Sequence, residues 1–306
     1  MRERENYKSK IYNFFLKIIR KKNIIEFLSK NNIFFIKKLR NLYYKKISLD
    51  EKYPYNYFKK KFGKQKNALI NIDINDPSHI GQIIDPFWEV KVFDIYNKLK
   101  KNIIFIDIGA NIGCHTIFFL KYMRCKKAIY IEPNAKCHAL FKSSIKLNNL
   151  KKCIILNKAV SNNRFVNLKV YSNNSGGGSI VNYFGNKEKS RVYKSNYEQF
   201  NNYKVKSISL QDILKKYTNK KDNIIIKIDA QGFETEILKN FLHLNSFLKR
   251  NILNVLYEVN DFELNKQKKI LNKLKLFYTL KDLDNNKIKI SSIKKHLKKI
   301  VNLEKI

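Results

Sequence analysis

Four residues carry most of the chemistry that can be read from the chain: Asp107, Glu132, Lys227 and Asp229. Asp107 opens the run Asp107-Ile108-Gly109-Ala110-Asn111-Ile112-Gly113. Gly109 and Gly113 can take backbone angles closed to other residues, and they let a ligand approach the main chain. A carboxylate at the entrance of such a turn repels a pyrophosphate and attracts a cation, such as a sulfonium bearing an α-amino group. The dinucleotide fingerprint Gly-x-Gly-x-x-Gly is absent here. Glu132, in Glu132-Pro133-Asn134, follows the turn by some twenty-odd residues. At a strand end that spacing suits hydrogen bonds to both hydroxyls of a ribose. The plainer alternative is a surface acid that caps the next helix.

Lys227 interrupts an apolar run, Asn223-Ile-Ile-Ile-Lys227-Ile-Asp229. An unpaired ammonium in a buried strand is costly, so a carboxylate partner is expected. Period-two alternation puts Lys227 and Asp229 on one face. Glu258, ending the run "ILNVLYEV", is a second partner candidate. A structural ion pair and a substrate-facing group are both open readings. Glu234 and Glu236 fall in the first turn of the next helix, where the dipole favours acids, and for Glu236 that is reason enough.

These residues need elements to place them. A helix is expected over 87–100, then the strand 103–108, a helix near 114–123 and a strand 128–132. A helix (135–148) and a strand (153–160) follow, then a polar, Gly-rich excursion over 171–203. Ser209-Leu-Gln-Asp212 reads as a capping box, followed by the strand 223–229, a helix over 232–241 and the strand 252–259. Another helix and a hairpin around Asp284-Asn285-Asn286 are expected beyond it. Strands alternating with helices predict an α/β fold with a mostly parallel sheet, and near-continuous Ile/Val/Leu strands predict cover on both faces. Pro54 and the turn chemistry of 71–86 mark a boundary, giving a basic, mainly helical extension over 1–70, a central domain over 71–283 and a lysine-rich tail over 284–306.

The 306 residues carry a formal charge of +38, with 44% hydrophobic residues, enough for a sizeable core. An anionic partner is one reading of that charge. The other is codon bias, since lysine outnumbers arginine about seven to one and Asn, Ile, Tyr and Phe are also abundant. The basic start has apolar positions such as Ile11, Phe14, Phe15 and Ile18 at helical spacing. Helices there would pack on their own domain or lie on an anionic membrane surface. No apolar run approaches the ~18 residues of a spanning helix, and no secretory leader is evident. Cys114, Cys125, Cys137 and Cys153 form no Cys-x-x-Cys pair, so free thiols in a reducing, cytoplasmic setting are expected.

From about 87 to 280 the chain resembles the FkbM family of S-adenosylmethionine-dependent methyltransferases. The matching pieces are "WE" (88–89), "FIDIGANIGCHT" (105–116), "IEPNA" (131–135), "LNKAVSNN" (156–163), "SLQDIL" (209–214), "KIDAQGFETEIL" (227–238) and "YEV" (257–259). The resemblance implies a Rossmann-like class I methyltransferase sheet and S-adenosylmethionine as cofactor. It implies that Asp107, Gly109, Ala110, Asn111 and Gly113 hold the methionine part, with Thr116 near its carboxylate. Glu132 would hold the ribose, and Glu89 would reach the cofactor from before the first strand. Val160 and Ser161 would lie against the adenine. Two departures stand out: the family usually shows an acid where Gln231 stands, and Thr-Leu-Asp-Asp where "SLQD" stands.

The reaction expected from this is transfer of a methyl group to a hydroxyl oxygen, with Asp229 as general base and Lys227 and Glu258 beside it. Alternatively Asp229, Glu258 and Asp261 hold a divalent cation that acidifies the hydroxyl. A sugar, glycan or glycolipid acceptor is expected, recognised by the 171–203 excursion. Two rivals are an RNA ribose methyltransferase using the basic arm and a non-catalytic scaffold. "DAQG" after the fourth strand argues against an amino-group methyltransferase of DNA.

Overall fold

The computed structural model describes residues 57–62, 66–73, 76–84, 89–98, 102–123, 125–171, 174–180, 200–260, 263–297 and 299–306. The basic segment before residue 57, most of the polar excursion (181–199) and Asp261 lie outside these residues.

A seven-stranded sheet organises the molecule. Five parallel strands are β3 (Ile103–Ile108), β4 (Lys127–Ile131), β5 (Cys153–Leu156), β10 (Asn223–Ile228) and β11 (Ile252–Glu258). Two antiparallel strands, β12 (Tyr278–Lys281) and β13 (Ile300–Lys305), complete the order β12-β13-β11-β10-β3-β4-β5. Every residue of β3 is buried, as a strand covered on both faces requires. Ile104, Ile106 and Ile108 share one face with Ile224, Ile226 and Ile228 of β10. That face packs against α5 (Leu210–Tyr217), α6 (Glu234–His243) and α7 (Leu264–Leu274). The opposite face is aromatic. Phe105 stacks on Phe119 of α3 (Cys114–Tyr122) at 4.2 Å between centroids, and Tyr96 of α2 (Val90–Lys98) meets Phe105 edge-on. Stacked pairs of this kind add ~0.5–1.5 kcal/mol each beyond the area they bury. α4 (Ala135–Leu147) starts at Asn134, whose side chain accepts from the Lys136 N–H, and its Phe141 stacks on Tyr130 at 3.8 Å. Ser209 caps α5 by accepting from the Asp212 N–H, as its capping sequence predicts.

Three expectations are corrected. Residues 57–71 are not helical: β1 (Tyr57–Phe62) and β2 (Lys66–Asn71) form an antiparallel hairpin. Phe62 packs edge-on against Phe93 and Phe118, and the Asn71 N–H donates to Ser144 of α4, so the hairpin belongs to the domain and the boundary falls earlier than 71. The stretch read only as turn chemistry holds α1 (Pro77–Ile84), with the Ser78 N–H bound to the Asp76 carboxylate and proline at the first helical position. The lysine-rich 284–306 segment supplies β13, lodged between β11 and β12. Val301 and Leu303 are buried there, while Asn302 and Glu304 break the apolar run that would have marked the strand.

A second sheet follows β5. Its strands β6 (Ala159–Val160), β7 (Phe165–Tyr171), β8 (Asn174–Ser179) and β9 (Phe200–Ile208) lie in the order β6-β9-β7-β8. Among the described residues no helix is long and apolar enough to cross a membrane.

Candidate active site

From β3 the chain winds outward through β4 and β5; from β10 it winds the other way to β11. The two halves part between β3 and β10, and in open α/β sheets ligands bind at that point, beyond the strand carboxyl ends. Main-chain bonds knit the ends together: the Asp229 N–H donates to the Ile108 carbonyl and the Gly109 N–H to that of Ile131. Gly109 has φ +71°, and a Cβ there would sit 1.9 Å from the Asp229 carbonyl oxygen. Gly113, with φ +77° just before α3, leaves room for the Phe141 ring, which a Cβ would meet at 2.1 Å. Both glycines of the turn are therefore required by close approach as well as by dihedral angle.

A cleft opens above these ends, with a cavity volume of about 100 Å³. Of the residues singled out from sequence, Gly109, Ala110, Asn111, Glu132, Val160 and Asp229 line it, and Lys227 reaches it. Asp107, Thr116, Gly113, Glu89, Ser161 and Glu258 are not among its lining residues. Asp107 sits on the aromatic side of β3 and is fully buried, with Oδ2 accepting from the Thr116 hydroxyl at 2.6 Å. Its register partner on β10, Lys227, shares that face and reaches the cleft, and Cys114 and His115 of α3 line the cleft as well. Glu89 pairs with His115. Burial works against its charge, but His115 and Lys227 outweigh it and hold the carboxyl below its usual range. Ser161 accepts from the Asn163 N–H and so braces a turn.

Glu132 is held by the backbone. Oε2 accepts from the Asn111 N–H at 2.9 Å and Oε1 from the Asn134 N–H at 2.8 Å. Burial nevertheless pushes its pKa up to about 7. Across the cleft a different construction holds Asp229. Lys227 donates to Oδ2 at 3.1 Å and the Gln231 side-chain amide donates to Oδ1 at 3.0 Å. Burial disfavours the Lys227 ammonium, but Asp229, Glu89 and Asp107 together raise its pKa well above the usual lysine value. The buried lysine thus has the carboxylate partner its strand position demanded.

Asp229, Glu234 and Glu258 bring carboxylate oxygens within 4.8 Å of one another. Oxygen donors of this kind suit a hard divalent cation, yet they do not fit one well. Both Glu234 oxygens are engaged, by the Ala230 N–H at 2.7 Å and by the Gly232 N–H at 2.9 Å with Asn260 beside it. Lys227 supplies the neutralising charge for Asp229. Burial and the neighbouring acids raise Glu234 to about 7 and Glu258 to about 8. Glu234 therefore does more than complement a helix dipole: it closes the turn after β10. The only sequence signal for that was its place two residues after Gly232.

A third group had no signal in its spacing. His79 of α1 lies with Nε2 at 3.1 Å from Asn111 Oδ1 and 2.7 Å from Ser175 Oγ of β8. The Ser175 N–H donates to Asp76, and the Gly176 N–H to Ser78. Ser175, Gly176 and Gly178 line the cleft, so this network fixes its β8 wall to the glycine turn. The residue types are those of a hydrolase triad, but the atoms are in the wrong order. The Asp73 N–H donates to His79 Nδ1, so Nε2 carries the ring proton and cannot take one from Ser175.

The site fits S-adenosylmethionine on two observations: a carboxylate at the second strand end faces the cleft, and buried Asp107 Oδ1 has no hydrogen-bond partner among the described residues. In sequence, residues 107–287 match the Methyltransferase FkbM domain family. No curated protein matches the chain. Among solved structures, the human methyltransferase 10 domain containing protein aligns at 12% identity, covering 90% of this chain and 98% of that one, with a TM-score of 0.44. A putative methyltransferase from Streptococcus mutans in complex with SAH aligns at 11% identity over 70% of this chain and 96% of that one, with a TM-score of 0.37. TYW2 from M. jannaschii in complex with AdoMet gives 14% identity, 79% and 85% coverage, and a TM-score of 0.39. The winding of the sheet, the glycine turn and the family match over most of the central domain agree, and the chain belongs to the FkbM methyltransferase family, whose members draw on S-adenosylmethionine.

Proposed function

We propose that this methyltransferase acts on a hydroxyl oxygen, carried by a sugar, glycan or glycolipid. The observation that carries the reading is the placing of Glu132 and Asp229 on one cleft at the parting of the sheet. Glu132 and the backbone of 109–111 would hold the ribose and methionine ends of the cofactor, and Val160 would lie against the adenine. Asp107 would act through the turn above it, its charge stabilising a positive ligand without touching solvent. When bound, S-adenosylmethionine supplies an electrophilic methyl group on sulfur. Asp229 would accept the proton of the acceptor hydroxyl, leaving its oxygen free to take the methyl group. Lys227 and Gln231 fix the direction of its carboxylate, and placing a nucleophile so is worth ~7–11 kcal/mol when alignment is good. The cleft's β8 wall, with Ser175 and three consecutive glycines, is where an acceptor would approach.

Calorimetric titration with S-adenosylmethionine, followed by methyl-transfer assays over a glycan panel, tests this reading. Binding with turnover on a hydroxylated sugar supports it. Absence of cofactor binding would leave a scaffold that keeps only the fold.

A further inference from the structure

The second sheet has two unlike faces. On β7, Val166 and Leu168 are buried, and Leu168 lines the cleft. The alternate residues Phe165, Asn167 and Lys169 face the other way, directly opposite Lys206, Lys204 and Asn202 of β9. Phe200 lies opposite Tyr171 at the far end. Phe165 is 38% exposed and Phe200 43%, high for rings on a sheet. Cations sit over them: Lys169 Nζ is 3.7 Å from the Phe200 centroid, while Lys204 Nζ and the Arg164 guanidinium are 5.1 and 5.5 Å from that of Phe165. Residues 162–171 and 200–208 contain Arg164, Lys169, Lys204 and Lys206 and no acid.

Lysine is common throughout this chain, so positive charge alone would mean little. The distinguishing features are the rings, the cations gathered around them and the absence of acids from the sequence of these two strands. Six residues of strand separate Phe165 from the end of β7 that faces Phe200, a span of ~20 Å. Two flat platforms at that spacing, with ammonium groups and the amides of Asn167 and Asn202 between them, match a polyanion that also carries planar groups. A single nucleic-acid strand is such a ligand: its bases stack on exposed aromatics while lysines track its phosphates. A membrane surface would call for apolar side chains able to insert, and the residues between these rings are amides and lysines.

We propose that the exposed face of β7 and β9 binds single-stranded nucleic acid. The surface is separate from the methyl-transfer cleft, and its occupancy can be read without turnover.

The experiment uses the whole chain, a short labelled oligouridylate and fluorescence anisotropy at low and moderate salt. Phe165→Ala with Phe200→Ala should weaken binding about tenfold or more. Lys204→Ala with Lys206→Ala should lower the slope of log K against log salt by about 1.4, from ~0.7 per phosphate neutralised on a single strand. All four positions are exposed or half-exposed, and an unchanged cofactor titration shows that each variant is folded. Parent-like affinity and slope in both variants would overturn the proposal and place any binding elsewhere, the basic N-terminal segment included. Tighter binding to a sulfated glycan or to anionic vesicles than to oligouridylate, lost in the same variants, would also overturn it, by assigning the face to another partner.

Discussion

The two ends of the cleft are built by opposite means. At one end Glu132 is gripped by main-chain N–H groups of its own and a neighbouring loop, over a turn where glycine is mandatory. At the other, Asp229 is gripped by two side chains, Lys227 and Gln231, inside a knot of further acids. A backbone cradle holds whatever the side chains around it become. A side-chain cradle is adjustable, because each member can be exchanged. The Glu132 end is thus suited to a constant ligand and the Asp229 end to a variable one.

The comparison can be broken most severely at Gly109. Gly109→Ala puts a methyl group into the Asp229 carbonyl at a positive φ, and should cost about 3 kcal/mol and abolish cofactor binding. Normal calorimetric affinity in that variant would mean the turn is not a cradle. Next comes Asp229→Asn, which should reduce turnover ~10²–10⁴-fold while cofactor affinity stays at the parent level. Unimpaired turnover would remove Asp229 from the chemistry. Glu132→Gln should weaken cofactor binding about tenfold or more. Its pH dependence is the sharper readout. Affinity of the parent should fall as pH drops through about 7, where the carboxylate gains a proton and loses acceptor capacity, and the variant's profile should be flat there. A smaller effect concerns the folded chain without ligand. Glu132 and Glu234 rise to about 7 and Glu258 to about 8 from an ordinary 4.5, so the folded state binds more protons than the unfolded between those limits. Stability should therefore decline as pH rises from about 4.5 to 8, and thermal melts across that window would show it. A rising melting temperature would contradict the burial of these acids. Smallest of all, Ser179→Ala removes a 2.6 Å bond to the Gln231 carbonyl and should cost ~1 kcal/mol, with a loss in turnover larger than in cofactor affinity.

What could be read from sequence follows the same division. The strands of the parallel core announced themselves because burial on both faces leaves uninterrupted apolar residues, as in Ile103–Phe105 and Ile224–Ile226. The glycine turn and Glu132 were legible because backbone geometry dictates residue type at fixed positions. The β1–β2 hairpin was not, since Lys59-Lys60-Lys61 reads as solvated charge although Lys60 is buried. Asp107 was legible from its place in the run, but its complete burial and its bond from the Thr116 hydroxyl depend on how α3 packs back on β3. Glu234 and His79 act through partners far along the chain, Asn260 for one and Ser175 for the other, and no local pattern encodes such pairings.

The placement of β13 has a further consequence. Residues 300–305 are threaded between strands contributed by residues 252–258 and 278–281. Until that segment arrives, β11 presents an open row of backbone donors and acceptors, and β12 has no place in the sheet. A polypeptide truncated before residue 300 should therefore be sticky as well as less stable, prone to recruit the missing strand from a neighbour.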